Sequence, residues 1–183
     1  MAVEALALTD EGFGLDYDTL RLDRTTEGWI IAGSGLRDGV AESLANVAVA
    51  VEQIGSSSVL GLLAKPIVDL AVGLSAHHDL ATVSSRLEAA GWIYRGDAGE
   101  NGGHVFVLEA RPWHRVAHLH IVEYRGAQWL NYLRLRDLLR RSAEARDQYE
   151  AVKIRLAEEN EDDRKAYTDG KSAVVVSLLS DIN

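Results

Sequence analysis

Residues 51–74, VEQIGSSSVLGLLAKPIVDLAVGL, limit the possible folds of this 183-residue chain more than any other stretch. An apolar run closes at Ile54, breaks at Gly55-Ser56-Ser57-Ser58, and is followed by a short amphipathic segment from Val59 to Lys65. Pro66 ends any helix there, because the residue before a proline is pushed out of the α region. Ile67 to Val72 then reads as a buried strand holding one carboxylate, Asp69. The expected order is strand, Gly-Ser turn, short helix, strand. Free N–H groups at a helix start form an anion site, and a Gly-Ser turn lets a phosphate come close. A carboxylate on the neighbouring strand can hold the metal that accompanies such a phosphate.

Around this centre the chain divides into elements. Residues 1–16 read as a loop, with Gly12 and Gly14, and Tyr17 to Arg24 as a short strand. Thr25-Thr26-Glu27 opens a helix on which Trp29, Leu36, Val40 and Leu44 recur at helical spacing, although Gly28, Gly33, Gly35 and Gly39 weaken it. Val47 to Ile54 is the first core strand, and His77 to Ala90 a helix stopped by Gly91. Trp92–Arg95, His104–Ala110 and His114–Tyr124 are strands, with a turn over 96–103. Helices follow over Ala127–Arg141, Ala143–Asn160 and Asp162–Leu179. The expected fold is α/β (α+β): a mixed sheet of about five strands with flanking helices, in one domain over 1–183 whose residues 127–183 are a helical C-terminal segment.

Composition narrows the function classes. With no cysteine, no disulfide framework or thiolate site exists, which fits a reducing cytoplasm. A net charge of -9 argues against non-specific nucleic-acid binding, which depends on clustered Lys and Arg. The opening MAVEALALTDEG lacks a basic region and a long apolar run, so no signal peptide is expected. No run approaches the ~20 apolar residues of a membrane span.

The stretch Ile54-Gly55-Ser56-Ser57-Ser58-Val59-x-Gly61-Leu62-x-Ala64-Lys65-Pro66-Ile67-Val68-Asp69 resembles the signature of the GrpB family, a nucleotidyltransferase-like group. Gly91-Trp92-x-Tyr94-x-Gly96-Asp97, His118-Leu119-His120-Ile121-Val122, Leu135-Arg136-Asp137-x-Leu139-Arg140, Tyr149-x-x-x-Lys153 and Lys171 extend the likeness over about residues 45–180. Three places depart from it. Leu60 stands where the family has Pro, and His104 follows the 96–103 turn where a basic residue is usual. Ala71 occupies the second acidic position of the superfamily's Asp-x-Asp/Glu strand.

The resemblance implies a nucleoside triphosphate (ATP or another), Mg2+ or Mn2+, and transfer of a nucleotidyl or phosphoryl group to a small acceptor. Gly55, Ser56, Ser57, Ser58, Lys65 and Arg136 are the candidate phosphate contacts. Asp69, His118 and His120 are the candidate catalytic and metal residues. Each has a plainer reading. Ser56 can be an ordinary helix cap, and Asp69 a structural ion pair with Lys65 or an arginine. His118 and His120 share a strand face, so they are a transition-metal pair, a base or phosphate contact, or core histidines. Arg136 can lie on a solvated helix face. An alanine at 71 cannot bridge two metals, so a second carboxylate must come from elsewhere, with Glu109, Glu123 and Asp97 as candidates. Two other functions stay open: a non-catalytic nucleotide- or metabolite-binding module, and a metal-dependent hydrolase or ligase built on Asp69, His118 and His120.

Overall fold

The computed structural model describes residues 2–17, 19–75, 80–99, 103–160 and 164–180. Its main sheet has the strand order β3-β5-β8-β7-β6, where β3 is Ala50–Ile54, β5 Val68–Leu74, β6 Ile93–Asp97, β7 His104–Arg111 and β8 His114–Glu123. β5 and β8 run parallel and the other neighbours antiparallel. A two-residue strand, β1 (Leu15–Asp16), pairs with β8. Two further short strands, β2 (Asp23–Arg24) and β4 (Leu63–Ala64), pair with each other.

Strand alternation gives each face a different partner. Leu70 and Val72 of β5, with Ala117, Leu119 and Ile121 of β8, meet α1 (Ala2–Asp10), α2 (Glu27–Ser43) and α3 (Leu80–Ala89) in the main core. On the opposite face, Ile54, Ala71 and Val122 pack against Trp129 of α4 (Ala127–Arg141). The remaining helices, α5 (Ala143–Glu159) and α6 (Arg164–Ser180), close with α4 over Val59 and Leu62, burying Leu139, Tyr149, Val174 and Leu178. No helix among the described residues is long and apolar enough to cross a membrane.

Most elements lie where the pattern of apolar residues puts them, and the differences have local causes. Residues 2–10 form a helix rather than a loop. AVEALALTD is apolar almost all round and so shows no period, yet Ala5 and Leu8 are buried against the sheet. Among the described residues of 17–24, only β2 at the end is strand. The helix expected over Val59–Lys65 is absent. Its backbone is drawn to Thr25 instead: Thr25 N–H donates to Leu62 O, Gly61 N–H donates to Thr25 O, and the Thr25 hydroxyl donates to Val59 O. The single helical turn lies earlier, a 3-10 turn over Ser56–Ser58. His77 and His78 lie outside the described residues.

The four glycines do not break α2. Thr26 accepts the Trp29 N–H at its start, and Gly33 has a packing reason to be there. A Cβ at Gly33 would run into the Gln53 side-chain amide. Gln53, on β3, is buried at 4 % exposure, so its amide has no room to retreat.

Candidate functional site

The site face of the sheet is set by register. Asp69 lies opposite Ile54 on β3 and His118 on β8, and Ala71 lies opposite Glu52 and His120. Glu52, Asp69, His118 and His120 therefore share one face, in two adjacent rows. The Asp69 carboxylate reaches His118 Nδ1 at 3.4 Å. Burial opposes the charge on Asp69, but contact with His118 and the fields of His120 and Lys171 outweigh it and hold the carboxyl below its ordinary range.

The Gly-Ser turn closes over this carboxylate. Gly55 has φ 69° and ψ -175°, a region open essentially to glycine alone. A Cβ there would sit 2.7 Å from Asp69 Oδ2, so glycine is what lets the turn lie against the acid. Ser57 Oγ accepts the Asp69 backbone N–H at 3.4 Å, and the Ser58 hydroxyl donates to Gly55 O at 2.7 Å. The Ser56 hydroxyl accepts from Lys153 Nζ at 3.2 Å, and Lys153 also donates to Leu63 O. Lys65 Nζ stands 4.2 Å from the ring centre of Tyr167, with Lys171 Nζ at 5.1 Å from the same ring. Lys153 thus touches the turn, and Lys171, whose charge is felt at both Asp69 and Lys153, stands with Lys65 against the Tyr167 ring.

One face of α4 crosses the site at i, i+4 spacing. Tyr132 stands 5.5 Å from His120, ring to ring; burial pushes its phenol up, as does the Asp69 charge, against a hydrogen bond with Gln128. Arg136 donates to Glu52 at 2.8 Å and to Gln53 O at 3.1 Å, and Arg140 donates to Ser58 O at 2.9 Å. Both guanidinium groups are thus engaged with the flanks of the turn. Glu52 and Tyr132 are site residues that sequence reasoning alone misses. Both carry a signal: Glu52 lies two residues before Ile54 on the same strand face, and Gln128, Tyr132, Arg136 and Arg140 repeat every fourth residue.

The carboxylates expected to replace the missing second acid are engaged elsewhere or placed apart. Glu109 accepts from Tyr17 at 2.6 Å and from Arg95 at 2.9 Å, and Asp97 accepts the Gly99 N–H at 2.8 Å. Glu123 ends β8, opposite Leu74 at the far end of β5. Ala71 itself is fully buried among Ile54, Val122 and Trp129. The side chain at this position packs against α4 and offers no carboxylate to bridge a metal. Among the described residues, no three carboxylate or imidazole groups converge on a metal position.

Lys153 is 1 % exposed. Burial brings its ammonium down to about 7, with Lys171 and Arg24 adding to the fall and Glu150 opposing it. Unfolding restores the ordinary value of 10.5, so between about pH 7 and 10.5 the unfolded chain binds more protons. Unfolding free energy should therefore rise with pH across that window, by at most ~1.4 kcal/mol per unit from this group. Lys153→Met should flatten the slope and be the more stable form at pH 7, as read from denaturant unfolding. Equal slopes in the two proteins would count against the buried amine.

Comparison with known proteins gives the family and the fold. The family model described as "GrpB protein" matches residues 20–181. The chain is 30 % identical over 135 residues to the glutamate-rich protein GrpB of Alkalihalophilus pseudofirmus, covering 72 % of this chain and 78 % of that one. It is 39 % identical over 132 residues to a UPF0157 protein of Streptomyces coelicolor, covering 72 % and 68 %. Among solved structures, GrpB from Enterococcus faecalis has a TM-score of 0.75 at 24 % identity, covering 88 % of this chain and 99 % of that one. A chain of the GLD-2/RNP-8 complex has a TM-score of 0.55 at 12 % identity, covering 94 % and 54 %, a likeness of fold alone. The fold is nucleotidyltransferase-like, and the chain belongs to the GrpB family.

Proposed function

We propose that this protein binds a nucleoside triphosphate against the 55–58 turn and transfers a nucleotidyl or phosphoryl group from it to a small acceptor. The observation that carries this reading is the close seating of Gly55 on Asp69. It places a turn rich in small polar residues beside a carboxylate held ionised, with Lys153 bonded to the turn and Lys171 close enough to act on the carboxylate. Such a turn suits a polyanion, and the lysines offset its charge.

Asp69 fits a single magnesium or manganese carried in with the triphosphate, because Mg2+ commonly binds through one or two carboxylates and the substrate's own phosphates. Bound there, the ion would neutralise charge on the phosphates. The residues of the chain do the rest. The Asp69 contact turns His118 Nδ1 toward the carboxylate, leaving Nε2 to take a proton from an acceptor hydroxyl. Tyr132 and His120 wall the same face. Arg136 and Arg140 hold the carbonyls on either side of the turn, which fixes its shape rather than touching phosphate first.

A second reading is favoured by Ala71. Packing has taken the place of the second acid, which suits a module that binds a nucleotide without transferring from it. Thermal melting with ATP, GTP, CTP and UTP, each with and without Mg2+ or Mn2+, tests the common part of both readings. A rise in Tm that needs nucleotide and metal together is the expected result. A rise with transition metal alone would point instead to Asp69 with the histidines, and no rise with any triphosphate would overturn the proposal. An acceptor screen on the responding nucleotide then separates transfer from binding.

A further inference from the structure

Two of the three serines in the 55–58 turn are committed to holding it. Ser57 and Ser58 are each 1 % exposed, and their hydroxyls bond the Asp69 N–H and the Gly55 carbonyl. Ser56 differs. It is only partly buried, and its hydroxyl faces the Lys153 amine at 3.2 Å. Lys153 is anchored from behind by the Leu63 carbonyl, so the amine is held toward the serine. A buried amine fixed against a reachable serine hydroxyl is how serine–lysine enzymes make a nucleophile.

We propose that Ser56 and Lys153 are a nucleophile–base pair and that Ser56 is phosphorylated by the nucleoside triphosphate bound at the same turn. This rests on the triphosphate-binding reading. The Ser56 oxygen attacks the terminal phosphorus, and the bond from that phosphorus to the bridging oxygen breaks. The nucleoside diphosphate leaves with the bonding pair, and the serine proton passes to Lys153 Nζ. The products are phosphoserine at 56, protonated Lys153 and a nucleoside diphosphate.

The surroundings of the amine support the step. Lys171 from α6 and Arg24 from β2 disfavour its protonated form beforehand, and burial does so most of all; Glu150 on its own helix is the opposing charge. The Tyr149 ring centre lies 4.7 Å from Nζ. Once formed, the phosphoserine faces a newly charged Lys153, which favours the product. A phosphoryl group on Ser56 also puts negative charge on the turn, which repels a triphosphate, so the modified chain should lose its response to triphosphate.

The test incubates the whole chain with ATP and Mg2+ or Mn2+ from about pH 6 to 9, with intact mass, peptide mapping and melting on the same samples. One phosphoryl group on the peptide holding Ser56 is expected, at a rate that climbs through about pH 7 and then levels. Ser56→Ala should acquire none. Lys153→Met should be slower by about 100-fold or more, with circular dichroism unchanged. Label on another residue, label retained in Ser56→Ala, or an undiminished rate in Lys153→Met would each overturn the pair. A nucleoside monophosphate on Ser56 would overturn the choice of the terminal phosphorus. A chain whose Tm rises with ATP but gains no phosphoryl group would overturn this inference and leave triphosphate binding standing. Neither a rise nor a label would overturn both.

Discussion

Asp69→Asn should leave the protein folded and abolish its metal-dependent response to nucleotide. Asparagine keeps the shape of the side chain and an oxygen near His118, so packing between β3 and β8 is preserved. What disappears is the negative charge that His118, His120 and Lys171 now stabilise. A ligand present at 100 times its Kd stabilises the folded state by about 2.7 kcal/mol. In the variant that increment should fall toward zero for any triphosphate with Mg2+, while the Tm without ligand moves little. Any transfer activity should fall by about 100-fold or more, since the charge and the orientation of His118 go together. The measurement is a melting series with nucleotide and metal, run beside circular dichroism. A full nucleotide shift in Asp69→Asn would make the carboxylate a structural partner of His118 and nothing more.

Gly55→Ala is expected to cost stability and ligand response at once. The backbone at 55 is one that alanine can hold only under strain, of about 1–3 kcal/mol. The new methyl would also be driven into the Asp69 side chain, 2.7 Å from Oδ2 and 3.1 Å from Cβ. Relief requires the turn to lift away from β5, which separates its N–H and hydroxyl groups from the acid. For a chain of this size each kcal/mol lowers Tm by about 2–4 °C, so a fall of several degrees is expected. Gly61→Ala is the control. Gly61 also has a positive φ, 77°, but a Cβ there meets nothing within 4 Å. It should suffer only the strain and keep its nucleotide shift. If Gly55→Ala responds to nucleotide as the wild type does, the seating of the turn on Asp69 is not what builds the site.

Much of the site is legible in the order of the amino acids. Asp69 stands out because a carboxylate in an apolar strand needs a partner, and the two-residue period puts His118 and His120 on one face. Which strands are neighbours is not legible in the same way. β5 pairs in parallel with β8, and the intervening chain supplies α3, β6 and β7. Only that pairing sets His118 opposite Asp69, and only the β3 register sets Glu52 opposite Ala71. The strand period puts Glu52 on the face of Ile54, but only the register puts it beside the missing acid's place. The Val59–Lys65 segment misleads for a similar cause. Its amphipathic spacing is real, and Val59 and Leu62 are buried, but Gly61 and bonds to Thr25 turn the backbone away from a helix. The early helix α1 has no period to betray it.

The turn at 55–58 is fastened by side chains that come late in the chain. Arg140 holds the Ser58 carbonyl from 82 positions away, Lys153 holds Ser56 from 97, and Glu150 accepts the Leu63 N–H from 87. A chain emerging from the ribosome, N-terminus first, can form β3, the turn and β5 well before any of these clasps exist. The bonds from Arg140 and Lys153 are therefore among the last contacts that the 55–58 turn acquires, formed only when the helices that carry them have docked.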